Sequence, residues 1–74
     1  MKLFDWGVVD ALAQYLSGEV IVMANSLEEA LEIVKKESPE VYEEIKNKEP
    51  DVYDSPTAIY IYGSAYGNNK KVVK

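Results

Sequence analysis

Residues 19–38 read Glu19-Val20-Ile21-Val22-Met23-Ala24-Asn25-Ser26-Leu27-Glu28-Glu29-Ala30-Leu31-Glu32-Ile33-Val34-Lys35-Lys36-Glu37-Ser38, and a change of period inside this stretch decides the fold class. Glu19 to Ala24 is short and β-branched, and it stops at Asn25-Ser26, which predicts a strand. Alternation puts Val20, Val22 and Ala24 on one face and Ile21 and Met23 on the other, so both faces call for cover. From Ser26 the apolar spacing becomes three and four. Leu27, Ala30, Leu31 and Val34 form the stripe of an amphipathic helix. Ser26-Leu27-Glu28-Glu29 is a capping box, in which the Ser26 hydroxyl accepts a first-turn amide and Glu29 returns to the Ser26 N–H. Acids at the start and Lys35 and Lys36 at the end suit the helix dipole.

Working outward, the first helix spans 26–37. Ser38-Pro39 closes it and opens a second helix over 39–47, with serine as cap and proline as first helical residue. Val41, Tyr42 and Ile45 supply its inner face. Residues 48–57 hold two prolines and two aspartates and read as a loop. Ala58 to Tyr62 is the second clear strand, with Ile59 and Ile61 expected to face the helices and Ala58, Tyr60 and Tyr62 on the opposite face. Gly63 to Asn69 reads as a turn, and Lys70 to Lys74 as a short edge strand around Val72-Val73 or a frayed tail. Upstream, Lys2 to Trp6 forms a short strand with Phe4 and Trp6 on one face, and Gly7 breaks it. Val8, Ala11, Leu12 and Tyr15 then predict a helix over 8–17 that stops at Ser17-Gly18. A rival reading runs a strand from Tyr15 to Ala24 through a bulge at Gly18. The expectation is one α+β domain over 1–74, of order β-α-β-α-α-β, with helices 26–37 and 39–47 packed on one face of a small sheet.

The chain has 74 residues, 13 acidic residues against 8 lysines, and a net charge of −5. It contains no cysteine, histidine or arginine. A disulfide framework, a thiolate metal site and a Ser-His-Asp triad within one chain are thereby excluded. A core of this size seldom yields more than about 3–5 kcal/mol without a staple, which leaves very good packing or oligomerisation. Ten of the 13 acids lie between Glu28 and Asp54. They read as solvated helix faces, and they disfavour nucleic acid and anionic membrane as partners. No segment approaches the roughly 20 apolar residues that span a bilayer. Asp5 interrupts the N-terminal run where a signal peptide is apolar, so the expected compartment is the cytoplasm. The preference for Lys and Glu, with Gln14 as the only glutamine, is a bias of heat-loving organisms.

Nothing in the pattern carries catalysis. Gly63-Ser64-Ala65-Tyr66-Gly67 follows a strand but lacks the Gly-Lys-Ser/Thr ending of a phosphate loop. Glu28, Glu29 and Glu32, and likewise Glu40, Glu43 and Glu44, sit where capping and solubility account for them. Asp51 and Asp54 are ordinary turn formers. No catalytic residue, cofactor or metal is therefore expected. The tyrosines say more, since four of six lie between positions 53 and 66. Tyrosine suits surfaces that are wet at times and buried at others. Tyr60, Tyr62 and Tyr66, with Met23 on the neighbouring strand, are the candidate interaction surface.

The run Val20-Ile21-Val22-Met23-Ala24-Asn25-Ser26-Leu27-Glu28-Glu29-Ala30 resembles the strand-then-helix core of small uncharacterised archaeal and phage α+β proteins, which end a strand in alanine and open a helix with Ser-x-Glu-Glu-Ala. The resemblance covers 11 residues and implies a small α+β architecture, with no shared activity to carry over. The functional expectation is a non-enzymatic acidic interaction module that forms a homodimer through its tyrosine-bearing sheet face. The alternative is an acidic inhibitor or nucleic-acid-mimicking decoy, of the kind mobile elements use, whose carboxylates over 28–54 engage a basic partner protein. A weaker third reading is a nucleic-acid binder using Tyr60, Tyr62 and the lysines of 70–74.

Overall fold

Gly7 adopts φ +74°, and the strand around it is bulged. Its pairing runs from Asp5 opposite Ile21 directly to Gly7 opposite Val20, which leaves Trp6 as the additional residue. A bulge moves the alternation by one position. Phe4, Trp6 and Val9 are therefore all buried, while Val8 is exposed.

The computed structural model describes residues 1–12, 18–64 and 67–74. In chain order it comprises β1 (Lys2–Val9), a 3-10 turn (Asp10–Leu12), β2 (Gly18–Ala24), α1 (Leu27–Glu37), α2 (Pro39–Ile45), β3 (Asp51–Tyr53), β4 (Ala58–Ser64) and β5 (Gly67–Val73). It is a small α+β domain with two antiparallel sheets, one ordered β2-β1-β3 and the other the pair β4-β5.

The helix expected over 8–17 is corrected. Val8 and Val9 continue β1 and Asp10–Leu12 is a 3-10 turn, while residues 13–17 lie outside those described. The bulge explains the misreading, because it lets β1 continue past Gly7, so that Val8 and Val9 belong to the strand and not to a new element. The bulge proposed at Gly18 lies instead at Trp6-Gly7, and Gly18 pairs with Val9. The expected loop over 48–57 contains β3, a three-residue edge strand on β1. Its Val52-Tyr53 pair, between Pro50 and Pro56, is too short to stand out as a strand.

The helices follow their caps. Ser26 Oγ accepts from the Glu29 N–H at 3.1 Å. The Glu29 carboxylate returns one residue further back than expected, accepting from the Asn25 N–H at 3.1 Å. Ser38 closes α1 by donating its N–H to the Val34 carbonyl at 2.7 Å, and its side chain accepts from Val41 at 3.4 Å to open α2. Lys35 Nζ lies 5.3 Å from the centre of the Tyr42 ring, a cation–π contact that links the two helices.

Phe4, Trp6, Val9 and Ala24 of the strands form one core with Ala30 and Val34 of α1 and Val41 and Ile45 of α2. The Phe4 and Trp6 rings stack with centroids 6.2 Å apart. The Trp6 indole N–H donates to the Lys48 carbonyl at 3.3 Å, so the ring keeps its polar partner although buried. Ile59 and Ile61 do not join this core, contrary to the expectation that they face the helices. β4 pairs with β5 rather than with the central sheet.

Glu44 of α2 secures the 3-10 turn. Its two oxygens accept from the Asp10 and Ala11 N–H groups at 2.7 and 2.9 Å. The Ala11 amide first, then that of Asp10, hold this carboxyl below the usual carboxylate range. Its contribution to stability is therefore present above the ordinary glutamate value and is lost as pH falls through the lower, folded value.

Two predictions follow from this frame. An added Cβ at Gly7 would meet open space, so Gly7→Ala isolates the cost of the left-handed backbone. Urea unfolding should show a loss of about 1–2 kcal/mol, with Gly7→Asn milder; no loss would mean that the bulge relaxes freely. For Glu44→Gln, the stability gap from wild type should be present at neutral pH and close as acid neutralises Glu44. A gap that is constant from neutral to acid pH would contradict the carboxylate's role.

Candidate interaction surface

β4 and β5 pair in register from Ala58 opposite Val73 to Tyr62 opposite Asn69 and on to Ser64 opposite Gly67. Cross-strand partners share a face. Ala58 with Val73, Tyr60 with Lys71 and Tyr62 with Asn69 therefore form one face of the hairpin, and Ile59 with Val72 and Ile61 with Lys70 the other. Among the described residues, none of either strand belongs to the core shared by the helices and β1 and β2.

A buried carboxylate ties the hairpin to the rest of the domain. Asp5, at the centre of the β2-β1-β3 sheet, is only 2% exposed. One oxygen accepts from the Gly7 N–H at 2.8 Å, so the bulge supplies the first partner. The other accepts from Lys70 Nζ at 2.7 Å. Asp51 of β3 lies 3.8 Å from the same ammonium. The hydrogen bond to Asp5, opposed by burial, holds the Lys70 ammonium above the usual lysine range. Lys74 Nζ sits 5.4 Å from the centre of the Tyr53 ring and adds a second tie. Since Lys70 reaches inward, alternation turns Lys71 and the tyrosines away from Asp5. Tyr60 is 56% exposed and Tyr62 52%. Ile61, on the inward-turned face, is still 42% exposed.

The four residues selected from sequence are not all brought together. Tyr60 and Tyr62 are cross-strand neighbours of β5 on a single face. Met23 is exposed but belongs to β2, in the other sheet, where it pairs with Leu3. It lines a shallow cleft of about 300 Å³ with Leu3, Tyr53 and Pro56. Tyr66 lies outside the described residues. The segment 70–74, read as an edge strand or loose tail, supplies Lys70 to Val73 of β5. Sequence reasoning missed the Asp5–Lys70 pair. The available signal was a lone aspartate between Phe4 and Trp6, because a charge inside an apolar strand either ends the strand or is buried with a partner.

Among the described residues, no group of three or more acidic side chains is placed to hold a metal ion, and no helix is long and apolar enough to cross a membrane. No known protein family, curated protein or solved structure matches the chain.

Lys70→Met removes the ammonium from the buried Asp5 carboxylate and should cost about 2 kcal/mol in urea unfolding. Because the folded chain holds the Lys70 proton more tightly, this contribution is complete below the ordinary lysine value of 10.5 and is lost as pH rises through the higher, folded value. Wild type should therefore lose more stability than Lys70→Met as pH rises above 10.5, other titrating groups being common to both. Parallel curves would show that Asp5 does not depend on Lys70.

Proposed function

We propose that this chain is a non-enzymatic acidic interaction module that self-associates through the tyrosine-bearing face of the β4–β5 hairpin. α1 and α2 roof one face of the central sheet in this reading, and the hairpin is the part left to meet a partner in the cytoplasm. The carrying observation is the half-exposure of Tyr60 and Tyr62 on a hairpin none of whose described residues joins the helical core. An isolated two-stranded ribbon is marginal in water and needs a third strand or an apolar cover. A second copy supplies that cover, and with it the buried area that a 74-residue chain lacks. Tyrosine tolerates both the free and the covered state, since its ring is apolar and its hydroxyl remains solvated or hydrogen-bonded.

The acidic-decoy reading has no comparable support. The glutamates of α1 and α2 already serve capping and solvation, and Glu44 is spent on the 3-10 turn.

Sedimentation velocity at low micromolar concentration should give the mass of a dimer. The double substitution Tyr60→Glu with Tyr62→Glu should give a monomer of lower thermal stability. A wild type that sediments as a monomer, or a double variant of unchanged mass, would contradict self-association through this face.

A further inference from the structure

The strands differ in how they guard their edges. Unpaired strand edges are usually blunted by charge, by proline or by shortness. β2, one edge of the central sheet, carries Glu19, and β3, the other, is three residues long and begins with Asp51. β5 carries Lys70 and Lys71. β4 has none of these devices. Its seven residues, Ala58-Ile59-Tyr60-Ile61-Tyr62-Gly63-Ser64, include no charge and no proline. Among the described residues only β5 pairs with it, and no other described strand is hydrogen-bonded along its outer edge.

We infer that the outer edge of β4 pairs antiparallel with β4 of a second copy about Tyr60, making a continuous four-stranded sheet β5-β4-β4-β5 across the two-fold axis. The inference rests on the self-association proposed above and moves its contact from the tyrosine-bearing face to the adjoining edge of β4, where the Tyr60 rings of the two copies lie side by side on a shared face. A two-fold axis at Tyr60 sets Tyr60 against Tyr60, Ile59 against Ile61 and Ala58 against Tyr62. Every pair is apolar or aromatic, the combinations that favour cross-strand contact. The lysines stay on the outer strands, with Lys71 beyond Tyr60 on each side. Lys70 remains with Asp5 in its own protomer. Stacking two tyrosine faces directly is less favourable. Every charged residue of 58–74 is a lysine, and stacking would bring the two copies of Lys71 towards each other. Edge pairing keeps them apart, and it converts two marginal ribbons into one sheet of sufficient width.

The natural chain contains no cysteine, so an engineered thiol reports its own contact. Directly opposed antiparallel residues have Cα atoms about 4.5–5.5 Å apart, within disulfide reach. Tyr60→Cys should form a covalent dimer under mild oxidation. Met23→Cys, equally exposed on the other sheet, should remain largely unlinked. Ile61→Lys, which places a charge against Ile59 twice per dimer, should weaken association about ten-fold or more. Circular dichroism and thermal melting would verify that each variant folds. A wild-type dimer in which Tyr60→Cys stays unlinked and Ile61→Lys associates normally would overturn the edge pairing and leave self-association standing. A wild type that is monomeric throughout would overturn both.

Discussion

The structure depends on where it puts one negative charge. Asp5 lies in the central strand between Phe4 and Trp6 and is almost wholly buried. A carboxylate in such a place costs several kcal/mol unless its oxygens are satisfied. The bulge satisfies one oxygen, since the left-handed turn at Gly7 brings that residue's N–H within 2.8 Å. The C-terminal hairpin satisfies the other through Lys70. The same bulge shifts the strand's parity and carries Val9 into the core below the helices. One local irregularity thus serves both sides of β1: a packed apolar core, and a charge paired with a lysine 65 positions later.

The helical half of the fold was legible because its signals are local. Ser26 and Ser38, with the periods that follow them, mark α1 and α2, and both helices form where those residues place them. Even there the capping box returns to Asn25 rather than Ser26, a detail set by loop geometry and not by residue type. The strands were harder. Gly7 looked like a break because glycine in a strand pattern signals either a stop or a bulge, and only the pairing with β2 separates the two. Once the bulge is missed, the residues after it read as a helix. β3 was illegible for a different reason, since a three-residue edge strand owes its existence to β1 and not to any pattern of its own.

The candidate surface divides in the same way. Tyr60 and Tyr62 could be placed on one face from alternation alone, and the pairing of β4 with β5 supplies the neighbours that define it. Met23 could not be assigned to a sheet, because the sequence does not say which strands are adjacent. Charge was similarly ambiguous. Asp5, Glu44 and the other carboxylates look alike in the sequence, yet Glu44 closes a 3-10 turn, Asp5 anchors a hairpin and the glutamates of α1 are exposed.

The anchoring pair bears directly on the outer edge of β4. A hairpin held to its domain by an apolar face would gain little by meeting a partner, because that face would already be covered. Among the described residues, the charged side chains that tie this hairpin to the domain come from β5 and the residue that follows it: the Lys70 ammonium on Asp5 and Lys74 over Tyr53. These two ties lie on one arm of the hairpin, and the tyrosines of the other strand stay half in water. Two stability needs would then have one remedy. A core of this size yields little stability alone and a two-stranded ribbon is marginal, and the proposed second β4 laid along the first would answer both without disturbing the charge pair that holds each ribbon in place.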